Sequence, residues 1–98
     1  MTVTKTEKNG CFSFEIEGRV DTITAPELEK EIRDCTDKAE SIVLDFAKVE
    51  YISSAGLRVL LFAHKTMAKK GGLTIKNVNS DIVEIFEVTG FSDILNIQ

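Results

Sequence analysis

The chain has no tryptophan, one histidine, one proline and two cysteines in 98 residues. With His64 as the sole imidazole, a histidine-rich metal site lacks its parts and a Ser-His-Asp triad has a single candidate base to build on, so neither is expected and no metal is expected. Cys11 and Cys35 form no CxxC and no metal-like spacing, which marks them as reduced packing thiols. No apolar run approaches the roughly 18 to 20 residues of a membrane span, and the opening MTVTKTEKNG lacks the hydrophobic core of a secretory signal. The expected location is the cytoplasm, without membrane insertion. Positive charge is in deficit, with 12 Lys and Arg against 16 Asp and Glu for a net charge of −4. Nucleic acid is therefore not expected as a direct partner. A Gly-rich phosphate loop is absent too, because Gly71 and Gly72 follow a helix and precede a strand, the reverse of the order such a loop needs.

What is present reads as one folded domain spanning residues 1–98. Apolar residues make up 43% and charged residues 29%, and a chain of this length buries roughly 60 to 70% of its unfolded surface. Thr2, Thr4 and Thr6 alternate with Val3, Lys5 and Glu7, a polar pattern suited to an edge strand. Asn9-Gly10 is a strong hairpin signal. Phe12, Phe14 and Ile16 then alternate with Ser13, Glu15 and Glu17 in a half-buried strand ending at Gly18.

Thr24 with Glu27 makes a capping-box pattern ahead of a helix that has Pro26 in its first turn. Ala25, Leu28, Ile32, Cys35 and Ala39 form its apolar stripe, and Glu27, Glu31 and Asp34 lie on a charged side that reads as a solvated face, with partner binding as the alternative. Ser41 to Phe46 reads as a strand buried on both faces. A second helix is expected from Ser54 to Lys70, with Leu57, Leu60, Leu61, His64 and Ala68 on its core face and Arg58, Phe62, Lys65 and Lys69 on another. Leu73 to Val78 is a further strand. Ser80 and Asp81 cap a third helix, whose stripe is Ile82, Ile85, Phe86 and Thr89. Phe91 to Ile97 closes the chain as a short strand or tail. The expected class is α/β with order ββαβαβαβ, a mixed sheet and helices packed on it.

Chemistry concentrates in DFAKVEYISSAGLRVLL, where an apolar strand signal and a few polar residues lead into two serines and a helix-forming run. Ser54 has no G-x-S-x-G elbow and no base beside it in sequence, so no catalytic residue is assigned and an enzyme is not expected. Asp21 and Asp45 admit two readings: carboxylates meeting across strand ends, or anchors that tie down local turns. Ser53 and Ser54 likewise admit two. Either is explained as a helix N-cap worth about 1 kcal/mol over Ala. Yet two serines stand where a cap needs one, and the first turn carries no acid, which leaves a seat for a negative group or a phosphate. Gly56 gives up about 1 kcal/mol of helix propensity, which a close approach by a partner's backbone would explain. Phe62, set among cations, is either tucked under a neighbouring helix or an anchor for a partner.

The run DFAKVEYISSAGLRVLL, preceded by GRVDTITAPELEKEI and followed by LTIKNVNSDIVEIFEVTGFSDIL, resembles the STAS domain family, specifically its stand-alone anti-sigma-factor antagonists. The resemblance implies a protein that binds an anti-sigma factor, itself a serine kinase, when unphosphorylated. It is released on phosphorylation and reset by a PP2C-type phosphatase. Carried over, the phosphoacceptor is Ser54. Many members place an aspartate just before the acceptor and a Ser or Thr just after, whereas here Ser53 and Ala55 stand there and Ser53 becomes a competing acceptor. The implied partner surface comprises Asp21, Ser53, Ser54, Gly56, Arg58 and Phe62. Asp21 matches a position at which some members bind nucleotide. A STAS subunit of a transporter or other signalling assembly, and a nucleotide-binding domain, are the alternative readings.

Overall fold

The computed structural model describes residues 1–98. The elements are β1 (Thr2–Lys8), β2 (Cys11–Val20), α1 (Ala25–Thr36), β3 (Ser41–Ile52), α2 (Ser54–Met67), β4 (Leu73–Lys76), α3 (Ser80–Thr89), a 3-10 turn (Phe91–Asp93) and β5 (Asn96–Ile97). This is the expected order. The five strands lie in the sequence β1-β2-β3-β4-β5; the first pair is antiparallel and the others are parallel. Asn9 and Gly10, both at positive φ, make the hairpin turn that the dipeptide signalled.

The strands bury one face only. Phe14 pairs with Leu44 and Leu44 with Ile75, and all three are fully buried, while their chain neighbours Glu15, Val43, Asp45 and Thr74 are exposed or half-exposed. The helices supply the other half of one continuous core through residues such as Leu28 and Ile32 of α1, Leu60 and Met67 of α2, and Ile82 and Phe86 of α3. The expectation that Ser41 to Phe46 is buried on both faces is therefore corrected: its alternation is that of a strand with one open side.

β3 also runs six residues beyond Phe46, to Ile52. Glu15 pairs with Asp45 but Glu17 with Lys48; Gly18 pairs with Val49 but Arg19 with Tyr51. At each shift β3 carries one extra residue, and the buried positions Phe46, Val49 and Ile52 come every third residue. The lost period of two is why the strand reads as loop in sequence.

Helix boundaries differ for local reasons. The Thr24–Glu27 capping box does not form, because Thr24 is already in helical conformation (φ −91, ψ −23) and its hydroxyl is engaged behind it, with Asp21 and Arg19. α1 still buries its whole expected stripe, Ala25, Leu28, Ile32 and Cys35, with Ala39 beyond it. α2 stops at Met67, where Gly72, at φ +92, donates its N–H to the Met67 carbonyl at 3.0 Å. Its core face is Gly56, Val59, Leu60, Ala63 and Met67, with Leu57 at the margin. Leu61 and His64 are half-buried and Ala68 is exposed, a correction to the expected face. The run from Leu57 to Ala63 is apolar on nearly every side, and the small residues Gly56 and Ala63 decide which side meets the sheet. α3 is capped by Asn79 rather than Ser80 or Asp81: its side chain accepts from Ile82 N–H at 2.9 Å and donates to the Val49 carbonyl at 3.0 Å.

Candidate functional site

β2 and β3 are parallel and end together, with Val20 paired to Ile52. The two following segments, the Asp21 to Thr24 turn and the start of α2, therefore emerge side by side at the same sheet edge. A backbone bond from Ser53 N–H to the Val20 carbonyl, 2.8 Å, ties them.

The turn is closed on itself. Asp21 Oδ1 accepts from the N–H groups of Ile23 (3.0 Å) and Thr24 (3.1 Å), and the Asp21 N–H donates to Thr24 Oγ1 (2.9 Å). The Thr24 hydroxyl in turn lies 2.8 Å from the Arg19 carbonyl. These bonds, led by that from the Thr24 backbone and joined by the Arg19 guanidinium 3.7 Å away, hold the Asp21 carboxyl below its ordinary value of 3.8 against the opposing effect of burial. The geometry is that of an Asx-turn anchor.

The start of α2 is open. Ser53 is the N-cap, its extended backbone (φ −95, ψ 176) letting Oγ accept from Gly56 N–H at 3.4 Å. Ser54, one residue inside, is exposed and its hydroxyl makes no hydrogen bond within the chain. No acid lies in the first turn of α2, whereas α1 has Glu27 and α3 has Asp81 there. Unpaired N–H groups and the positive end of the dipole thus meet solvent beside a free hydroxyl.

Arg58 stands one turn along and borders an open groove of about 240 Å³ between the starts of α1 and α2, with Thr22, Pro26, Glu29 and Ala55 on its walls. Gly56 is buried, and a Cβ there would sit 2.6 Å from Ile52 Cγ1 and 2.9 Å from Val20 Cγ1. The close approach that requires glycine is to its own sheet, so the expected role in meeting a partner's backbone is corrected. Phe62 lies apart from the serines, half-buried against the core, with the Arg33 guanidinium 4.0 Å over its ring.

Asp45 is not at the site. It lies mid-strand on the open face, opposite Glu15 and Lys76, and accepts from Asn77 Nδ2 and Ala47 N–H, each at 3.0 Å. Those bonds, the Asn77 one foremost, lower its pKa from 3.8. Ile52 lies seven positions further along β3, about 20 Å at strand rise, so Asp45 does not meet Asp21. His64, ten residues past Ser54, is about 15 Å along α2. No cluster of three His, Cys, Asp or Glu side chains is arranged to hold a metal ion, and no helix is long and apolar enough to cross a membrane.

One residue escaped the sequence reading. Ile23, at the tip of the closed turn, is 86% exposed. An isoleucine inside the polar turn D-T-I-T was the available signal.

The STAS domain model matches residues 2–98. The chain belongs to the STAS domain family. Among relatives of this STAS protein, BtrV of Bordetella bronchiseptica is 35% identical over 96 residues, covering 96% of this chain and 83% of that one. The anti-sigma-B factor antagonist of Listeria monocytogenes is 34% identical over 86 residues, 85% of this chain and 75% of the relative. The crystal structure of an anti-sigma factor antagonist from Mycobacterium paratuberculosis superposes with a TM-score of 0.88 at 24% identity, over 98% of this chain and 83% of that one.

Proposed function

We propose that this STAS protein is an anti-sigma-factor antagonist that works by binding, with no catalytic step of its own. Unphosphorylated, it occupies an anti-sigma factor and frees the sigma factor to direct transcription. The anti-sigma factor, acting as a serine kinase, phosphorylates Ser54 and is released, and a PP2C-type phosphatase restores the binding form. The observation that carries the reading is the division of labour between the two serines: Ser53 is occupied as the cap, and Ser54 is exposed with a free hydroxyl at an uncompensated helix start. The competing acceptor, Ser53, is half-buried and engaged. Asp21, Ser53 and Ser54 share the contact edge, with Arg58 one turn beyond.

The magnitudes favour a switch in binding rather than in fold. A phosphate at a helix N-terminus is stabilised by roughly 0.3 to 1 kcal/mol. Pressing the same dianion into an interface without a matched cation costs several kcal/mol, and about 1.4 kcal/mol is tenfold in affinity. The interface effect dominates.

The test mixes the purified protein with the purified anti-sigma factor encoded in the same genome, with and without ATP, and maps phosphate by mass spectrometry. A stable complex with wild type, phosphate on Ser54 and dissociation on phosphorylation are expected; Ser54→Ala should bind and resist release. Absence of a complex, or phosphate confined to Ser53 with Ser54→Ala still released, overturns the reading.

A further inference from the structure

Between Glu50 and Asp81 the chain contains no acidic residue, yet it carries Arg58, Lys65, Lys69, Lys70 and Lys76 in a protein of net charge −4. α2 lies in this interval. On the adjoining α1 both cations are paired, Lys30 with Asp34 at 3.1 Å and Arg33 with Glu29 at 2.8 Å. Arg58 and Lys65 of α2 are exposed and have no carboxylate within 4 Å.

Their placement is linear. Ser54, Arg58, Leu61 and Lys65 fall at i, i+4, i+7 and i+11, one narrow stripe of a helix with 3.6 residues per turn. This stripe faces away from the core side defined by Gly56, Leu60, Ala63 and Met67. Leu61, at its centre, is half-buried and is not among the hydrophobic side chains packed against the core, unlike its neighbour Phe62. The phosphoacceptor thus heads a row in which an apolar side chain sits between two unpaired cations.

We propose that this stripe is a docking surface for an acidic protein surface, one carrying carboxylates on either side of an apolar socket that receives Leu61. The inference rests on the proposed function in taking the anti-sigma factor as the partner, and it adds the chemistry the partner must present. It also gives phosphorylation a second action. Arg58 and Lys65 contribute two positive charges, and a phosphate at Ser54 brings about −1.5 to −2, one turn from Arg58. The modification cancels the attraction that steers an acidic partner, in addition to adding bulk and a desolvation cost at the contact.

The experiment measures affinity of the full chain for the purified anti-sigma factor at about 50 and about 300 mM salt, where screening differs strongly. Wild-type binding should weaken clearly with salt. Lys65→Glu and Arg58→Glu should each weaken it roughly tenfold or more at low salt and flatten the salt dependence. Leu61→Ala should weaken it at both salt levels. Lys38→Glu, an equal charge change on an exposed residue off α2, should leave affinity unchanged; Lys65→Gln, with a smaller charge change, should fall between wild type and Lys65→Glu. Thermal melting of each variant confirms that the fold is intact. Wild-type binding that phosphorylation abolishes but that ignores Lys65→Glu, Arg58→Glu and salt overturns this inference alone. An equal loss from Lys38→Glu overturns it too, as a bulk-charge effect. No binding by wild type overturns the proposed function and this inference with it.

Discussion

At the end of β2 the chain enters α1 through Asp21 and Thr24, whose polar atoms close on one another; at the adjoining end of β3 it enters α2 through Ser53 and Ser54, of which only the first is engaged. The two helix starts share a sheet edge and differ in what they leave unused. α1 has a carboxylate behind it and Glu27 in its first turn, so its positive end is already answered. α2 has one weak 3.4 Å cap and no acid. A serine at a helix start is therefore informative only when its neighbours show whether the capping work is already done.

The largest effect is expected from giving α2 the acid it lacks. Ser54→Asp should lower affinity for the anti-sigma factor by roughly a hundredfold, about 2.7 kcal/mol, read by fluorescence anisotropy. Its melting temperature should stay level or rise slightly, since an acid in the first turn is favourable. Lost stability with retained binding would defeat the contrast. Next in size is Gly56→Ala. The new methyl group collides with Ile52 and Val20, and overpacking of this kind costs about 1 to 3 kcal/mol, offset by roughly 1 kcal/mol of helix propensity. Urea unfolding should show a net loss; a gain would mean that the α2 start sits loosely on the sheet.

Ser53→Ala sharpens the division between the serines. It should cost about 1 kcal/mol, a fall in Tm of roughly 4 to 8 °C for a domain of this size, while leaving phosphate transfer to Ser54 in place. If Ser53→Ala instead abolished phosphorylation with no change in Tm, the roles would be exchanged. The smallest effect belongs to the closed turn. The Asp21 carboxyl titrates below its ordinary value of 3.8 in the folded chain, so unfolded molecules take up the proton first. Its stabilising contribution is complete above that value and is lost as pH falls through the lower, folded pKa. Asp21→Asn should therefore leave a shallower acid limb in a plot of Tm against pH, and Asp45, also lowered, should keep the remaining slope. An unchanged acid limb would show that the turn does not depend on the charge.

The hairpin, the stripe of α1 and the alternation of strands and helices were legible because each is encoded locally: Asn9-Gly10, Leu28 with Ile32, Phe14 with Ile16. The second half of β3 was not, since the two extra residues that aim Val49 and Ile52 inward are set by pairing with β2, a partner some 30 positions away in sequence. The rotation of α2 was hidden for a different reason. Leucines lie on several of its sides, so hydrophobic period alone has no preferred phase, and the choice falls to the small residues Gly56 and Ala63. At the site, helix-start logic and family resemblance together point to Ser54, which is exposed with a free hydroxyl. The purpose of Gly56 was misread because the clash it avoids is with side chains that only the fold brings near.

β3 is the longest strand, flanked by β2 along most of its length and by β4 at its start. It is also the strand that delivers Ser53. In amide hydrogen exchange its protons should be among the last to leave, with the two-residue β5 among the first. The serine end is held to the sheet by β2 alone, through pairs that run as far as Val20 with Ile52. Under the proposed function, a phosphate on Ser54 would outlast the frequent fraying of the chain's ends, and its lifetime would be set by the kinase that adds it and the phosphatase that removes it.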